Sequence, residues 1–238
     1  MDREEVNATS QIVCVWAGIL CPLFLFAGLW PAMKFIPPLN PAASAAEIAT
    51  IFQNNTNGIR LGSIFIMIAG ALYAPFTAVI AAQMRRIERG STPVLTYSQL
   101  AAGAASCLLF IIPGLAWTIA AFRPERPPEI TQAFNDFAWI FVVMPFVLAE
   151  VQNICFGAVI ISDKRTTPLF PRWLGFFNFW IALSFIPGGL TTFFKTGPFA
   201  YNGLLAFWIP AGTFGPWFIV ICVYLIKAIR RQQAEGSA

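Results

Sequence analysis

Glu150 sits where a carboxylate is expensive, inside the run Trp139-Ile-Phe-Val-Val-Met-Pro-Phe-Val-Leu-Ala-Glu150-Val-Gln-Asn153. Of the 26 formally charged side chains, it alone falls deep within a long apolar stretch. An acid near the middle of a bilayer usually faces protein or a wet cavity and finds a partner there. Helical spacing puts Asn153, Phe146 and Gly157 on the same face as Glu150 and turns Gln152 away. Two roles fit the residue. As an ionisable site, it changes charge when a solute or ion binds. As a structural group, it stays protonated and hydrogen-bonds between helices.

Few other side chains could share such a site. Tyr73 and Ser184 come to a similar depth in neighbouring apolar runs, and Thr191 and Thr213 add hydroxyls. Pro113-Gly114, Pro187-Gly188 and Pro210 with Gly212 interrupt three runs. A proline at membrane depth frees a carbonyl that only protein, hydroxyls or water can satisfy. All three interruptions fall toward the outer half, so they predict a cavity lined by broken helices and open to the outer side, with Glu150 at its floor and Asn153 as a further binding candidate on the same helix face.

The elements that must carry these residues follow from composition. The chain is 58% hydrophobic and 11% charged, with a mean hydropathy of +0.69. That predicts an all-α, polytopic transmembrane bundle. Six spans are expected at 11–31, 59–84, 97–121, 134–161, 173–194 and 203–228 within one integral membrane domain. The first is too long, and too poor in basic residues ahead of it, to read as a cleavable signal. Ten Lys and Arg fall on the side of the termini, Arg3 among them, against five on the other. The positive-inside rule therefore predicts cytoplasmic termini in a bacterial-type inner or plasma membrane.

Between spans one and two, Ser44-Ala-Ala-Glu47 has capping-box spacing. It predicts a short external amphipathic helix with Ile48, Ile51 and Phe52 on one face, either an interfacial element or a lid over the site. An internal hairpin repeat, 59–121 and 134–194, is suggested by Pro75-Phe76, Thr92-Pro93 and Ile112-Pro113-Gly114 recurring as Pro145-Phe146, Thr167-Pro168 and Ile186-Pro187-Gly188. Gly70, Ala74, Ala78 and Ala82 predict close packing of span two inside the bundle, with a homo-oligomer seam as the alternative.

Several functions are excluded or disfavoured. With no histidine, serine-hydrolase triads and His-Glu-x-x-His zinc sites are impossible, and no metal site or cofactor is expected. The five cysteines lie within spans without CxxC spacing and read as packing residues. Basic clusters at span ends, without interleaved aromatics, argue against nucleic acid. An intramembrane enzyme has only Glu150, Tyr73 and scattered hydroxyls for acid/base work. Two readings remain. One is a small carrier or binding protein for an organic, apolar or aromatic solute, surrounded by membrane lipid. The other is a non-catalytic accessory subunit packing against a partner membrane protein or a second copy.

Overall fold

Residues 7–236 are described in the computed structural model, and every regular element among them is helical. Arg3 lies outside the described residues. Six helices are long and apolar enough to cross a membrane: Ala8–Ala32, Thr56–Ile87, Val94–Phe122, Pro128–Ser162, Arg172–Phe193 and Leu204–Glu235. The fourth starts earlier than its apolar run because Pro128, at the first helical position, leads into Thr131, Asn135 and Asp136. The sixth runs on past Lys227 into a polar last turn.

Prolines divide these spans unevenly. Helix α1 (Ala8–Ala27) finishes in a π-helical turn, Gly28–Ala32, that contains Pro31. The short α2 (Ala45–Asn54) leads into α3 (Thr56–Ile87), which is continuous through Pro75. The third span is α4 (Val94–Ser106) and α5 (Leu108–Phe122). Its break is at Cys107, and α5 runs on through Pro113, contrary to the expected interruption there. The fourth is α6 (Pro128–Val143) and α7 (Phe146–Ser162), separated at Pro145. In the fifth, α8 (Arg172–Phe185) tightens into a 3₁₀ helix, Ile186–Phe193. In the sixth, a π-helical turn, Leu204–Trp208, precedes α9 (Ile209–Gly236).

The centre of the bundle is α3, which touches α1, α4, α5, α7 and α9. Glycines set the closest approaches. A Cβ on Gly28 would stand 2.7 Å from the Gly62 carbonyl, and one on Gly62 equally near the Gly28 carbonyl. Gly157 and Gly175 seat α7 on α8 in the same way. These pairs let backbones meet where hydrocarbon supplies no hydrophobic drive.

The small-residue stripe of α3 behaves otherwise. Gly70 packs against the break at Cys107, but Ala74, Ala78 and Ala82 are exposed on the open side of the helix. Steps of four residues advance about 40° each around an α-helix, so the stripe drifts off the packed face within three steps. The buried face is instead Ile66, Tyr73, Phe76, Thr77, Ile80 and Met84.

The two ends of the bundle are closed differently. At the α2 end the chain folds back so that Phe35 is buried among Phe52, Trp117 and Trp139. The Asn55 amide donates to the carbonyls of Ala32 and Met33, both at 2.9 Å. Ser44 and Glu47 form the expected capping box, and these bonds hold the Glu47 carboxyl below its ordinary range. The buried face of α2 carries Ile48 and Phe52, and the helix lies against α6. At the other end, the Gln83 amide donates to Gln11 at 2.5 Å and to Gln232 at 3.0 Å, joining α3 to α1 and α9. Arg86 adds bonds to the Ala228 carbonyl and to Glu235. Between α7 and α8, burial works against the Asp163 charge, but bonds from the Arg165 side chain and the Leu169 amide outweigh it. Its carboxyl is held below the ordinary range.

Ala78→Leu adds its bulk outside the bundle, so thermal stability in detergent should stay within about 0.5 kcal/mol of the parent. A loss of roughly 1–3 kcal/mol, the cost of overpacking, would return this face to the interior.

Candidate functional site: a central cavity

A cavity of about 150 Å³ lies between the helices, and all six spans contribute to its wall. Leu29, Ile66, Trp117 and Phe207 bound it toward the α2 end. Tyr73, Ser106, Asn153, Ile181 and Trp217 bound it toward the other. Phe207, in the π-helical turn, and Trp217 of α9 are ten positions apart, so the slot extends about 15 Å along the bundle axis. Most of the wall is aromatic or aliphatic, and none of the lining residues is charged.

The α6–α7 break at Pro145 and the π-helical turn before α9 both border the cavity, and Phe146, Phe185 and Phe214 line it. Phe26 of α1 also lines a second, apolar groove of about 520 Å³ between α1 and α9, with Pro22, Leu23, Gly215 and Ile219. A Cβ on Gly212 or Gly215 would meet nothing within 4 Å.

Beneath the cavity lies a buried polar network. The Tyr73 hydroxyl donates to Gln152 Oε1 at 2.6 Å. Thr77 Oγ1 accepts from Gln152 Nε2 at 3.2 Å and from Gln99 Nε2 at 2.9 Å. One side chain each from α4 and α7 is thereby tied to α3. Gly103 permits it, since a Cβ there would overlap Thr77 Oγ1 and stand 3.0 Å from Gln152 Nε2. Nearby, Trp217 Nε1 donates to Asn178 Oδ1 at 3.0 Å.

The residues picked from sequence scatter. Tyr73, Asn153 and Pro210 line the cavity. Glu150 does not: it is half-buried one turn along α7, between the face packed on α8 and the exposed Val147, Val151 and Ile154. Its Oε1 is buried without a hydrogen-bond partner. The floor position expected for it is taken by Asn153. Ser184 and Thr213 do come together, 3.3 Å apart between α8 and α9, but outside the lining. Thr191 is a loop fastener, donating to the Phe199 carbonyl at 3.0 Å.

The expected cavity-lining helix breaks largely serve packing. Gly114 is pressed against Ser63 and Met67 of α3, with Pro113 buried beside it. Gly188 meets the Val143 carbonyl, half-buried Pro187 opens the 3₁₀ helix, and Gly212 is exposed. Depth along a span was the only signal for these residues, and depth does not fix the direction in which a side chain points.

Sequence reasoning missed Gln99, Thr77 and Gln152, although glutamines inside apolar runs are a legible signal. It also missed the α6 stripe Thr131, Asn135 and Trp139, spaced by four and wholly buried. Trp139 stacks on Tyr201 at 5.7 Å, and the Tyr201 hydroxyl donates to Asp136 at 3.3 Å. Burial, then the adjacent Asp136 carboxylate, push the Tyr201 phenol above its ordinary range, so it remains a donor.

Gln152→Leu strands the Tyr73 hydroxyl and unties α7 from α3, and should cost roughly 1–3 kcal/mol of thermal stability. Tyr73→Phe in the same background should then cost almost nothing further, and full additivity of the two losses would break the network argument. No protein-family model matches this chain, and neither does any curated protein or solved structure.

Proposed function

We propose that this chain is a small membrane-embedded binding protein or carrier for an organic, apolar or aromatic solute. The observation that supports it is the central cavity to which all six spans contribute, with walls of Phe, Trp, Leu and Ile and no charged lining residue. Concave, mostly apolar sites with a few placed polar groups are where small organic molecules bind. The helix breaks at Pro145 and before α9 border this space, which fits breaks that shape a site.

Glu150 stands behind the wall in this reading, one turn from Asn153, and acts on the site only through α7. Binding of a neutral solute should therefore be independent of pH between about 5 and 9, because none of the residues lining the cavity is an acid or base that titrates in that range. Glu150→Gln should leave it unchanged. Binding that follows pH in the parent and loses that dependence in the Gln variant would make Glu150 the ionisable site instead.

The direct test is thermal unfolding of the purified protein in detergent with apolar aromatic probes. A probe at about 100 times its Kd stabilises by about 2.7 kcal/mol. Ala211→Phe, which adds a ring at the cavity wall, should fold and lose that stabilisation. No shift with any probe would end the binding-protein reading.

A second reading is favoured by the exposed small-residue face of α3. Ala74, Ala78 and Ala82 are suited to a close helix contact with a partner membrane protein or a second copy. Cysteine cross-linking at position 78 in native membranes separates the two: a specific adduct supports the accessory role, and none leaves the face to lipid.

A further inference from the structure

At the end of the cavity formed by Tyr73, Ser106, Asn153 and Trp217, most of the donors already have partners. Three of its donors are spent inside the protein. The Tyr73 hydroxyl goes to Gln152, the Ser106 hydroxyl to the Ala102 carbonyl at 2.8 Å, and Trp217 Nε1 to Asn178. Asn153 donates through Nδ2 to the Ala149 carbonyl at 2.9 Å. A carbonyl can only accept, so the amide nitrogen must face Ala149 and the amide oxygen must face away. That oxygen is buried and has no partner, on a residue only 5% exposed. The hydroxyl oxygens of Tyr73 and Ser106 keep lone pairs as well. Beside the second N–H of Asn153 Nδ2, what this end offers a ligand is therefore mainly acceptor capacity, with Asn153 Oδ1 as the buried atom that has no partner.

We propose that the cavity selects a neutral molecule with an apolar body about the size of one aromatic ring and a hydrogen-bond donor, a hydroxyl or N–H, directed at Asn153 Oδ1. The inference rests on the ligand-binding reading above and sharpens it to a chemical class. A volume near 150 Å³ is that of an engineered apolar cavity known to hold benzene. Neutrality follows from the wall, because an ion taken there would find no countercharge among the lining residues. The donor follows from the asymmetry of Asn153: a buried acceptor left unpaired is costly, and a ligand that pairs it removes that cost. At this end a ligand that brings only an acceptor would set oxygen against oxygen; the unpartnered donor of the wall, Trp117 Nε1, lies toward the α2 end.

The test is a matched series on the full-length protein in one detergent: toluene, 4-methylanisole, p-cresol, benzyl alcohol, benzylammonium and benzoate, with Kd read by thermal shift or calorimetry. The expected order places p-cresol and benzyl alcohol roughly three- to tenfold tighter than toluene, which corresponds to one net hydrogen bond. 4-Methylanisole should be no tighter than toluene, and both ions at least tenfold weaker than the alcohols. In Asn153→Leu, which keeps the number and branching of the side-chain heavy atoms, p-cresol and toluene should bind within a factor of two of each other. The parent series stands on its own if that variant does not fold. Toluene and p-cresol binding equally to the parent overturns the donor rule and leaves the apolar-site reading intact. Benzylammonium binding most tightly overturns neutrality and points to a cation site. Failure of all six overturns both proposals.

Discussion

Tyr73 and Thr77 hold the bundle to its central helix, because inside a membrane their polar partners must be other parts of the same protein. With no water to fall back on, the amide nitrogens of Gln99 and Gln152 are satisfied by groups on the facing helix. Thr77 Oγ1 receives both, and Tyr73 returns a hydrogen to Gln152. Gly103 lets α4 approach closely enough for this, and any side chain there would occupy the space the network uses. Three helices are thus fixed at one depth, and the cavity opens directly above the point where they are fixed.

Aromatic packing continues from that point. Phe76 stacks on Phe218 at 5.0 Å, Phe218 meets Phe214 at 4.8 Å, and Tyr73 meets both Phe110 and Phe218. These rings join α3, α5 and α9 around the cavity and supply contact area that helix packing in lipid requires. A second aromatic group, Phe35, Trp117, Trp139 and Tyr201, closes the α2 end. The cavity lies between a hydrogen-bonded floor and an aromatic roof, so its length is set by two different kinds of interaction.

The spans, the capping box at Ser44 and the apolar face of α2 were legible in the sequence, because each depends on a local period that the chain carries within a few residues. What was not legible is direction. Glu150 and Gln152 are two positions apart in one helix, and burial falls on the amide while the acid lies at the margin. The cost of burying a charge explains that choice afterwards, but the period of α7 alone does not, since its hydrophobicity is nearly uniform around the helix. Gly70, Ala74, Ala78 and Ala82 mislead for the opposite reason: a regular spacing of four invites a straight seam, and the α-helix turns that seam away from the core. Pro113 and Pro145 look alike in sequence, yet one is absorbed in α5 and the other separates α6 from α7.

The glutamine knot formed by Gln11, Gln83 and Gln232 gives the first and last helices a common anchor at the end where α1 begins. Cys222 Sγ, 3.6 Å from the Val15 carbonyl, extends that attachment inward. Farther along, the two helices part around the apolar groove, where Gly215 leaves space beside Phe26. They are joined at one end and part at the other, where α1 leans on α3 through Gly28 and Gly62 instead. Phe26 is the side chain that lines both this groove and the central cavity, so the position of one ring sets the partition between the two spaces.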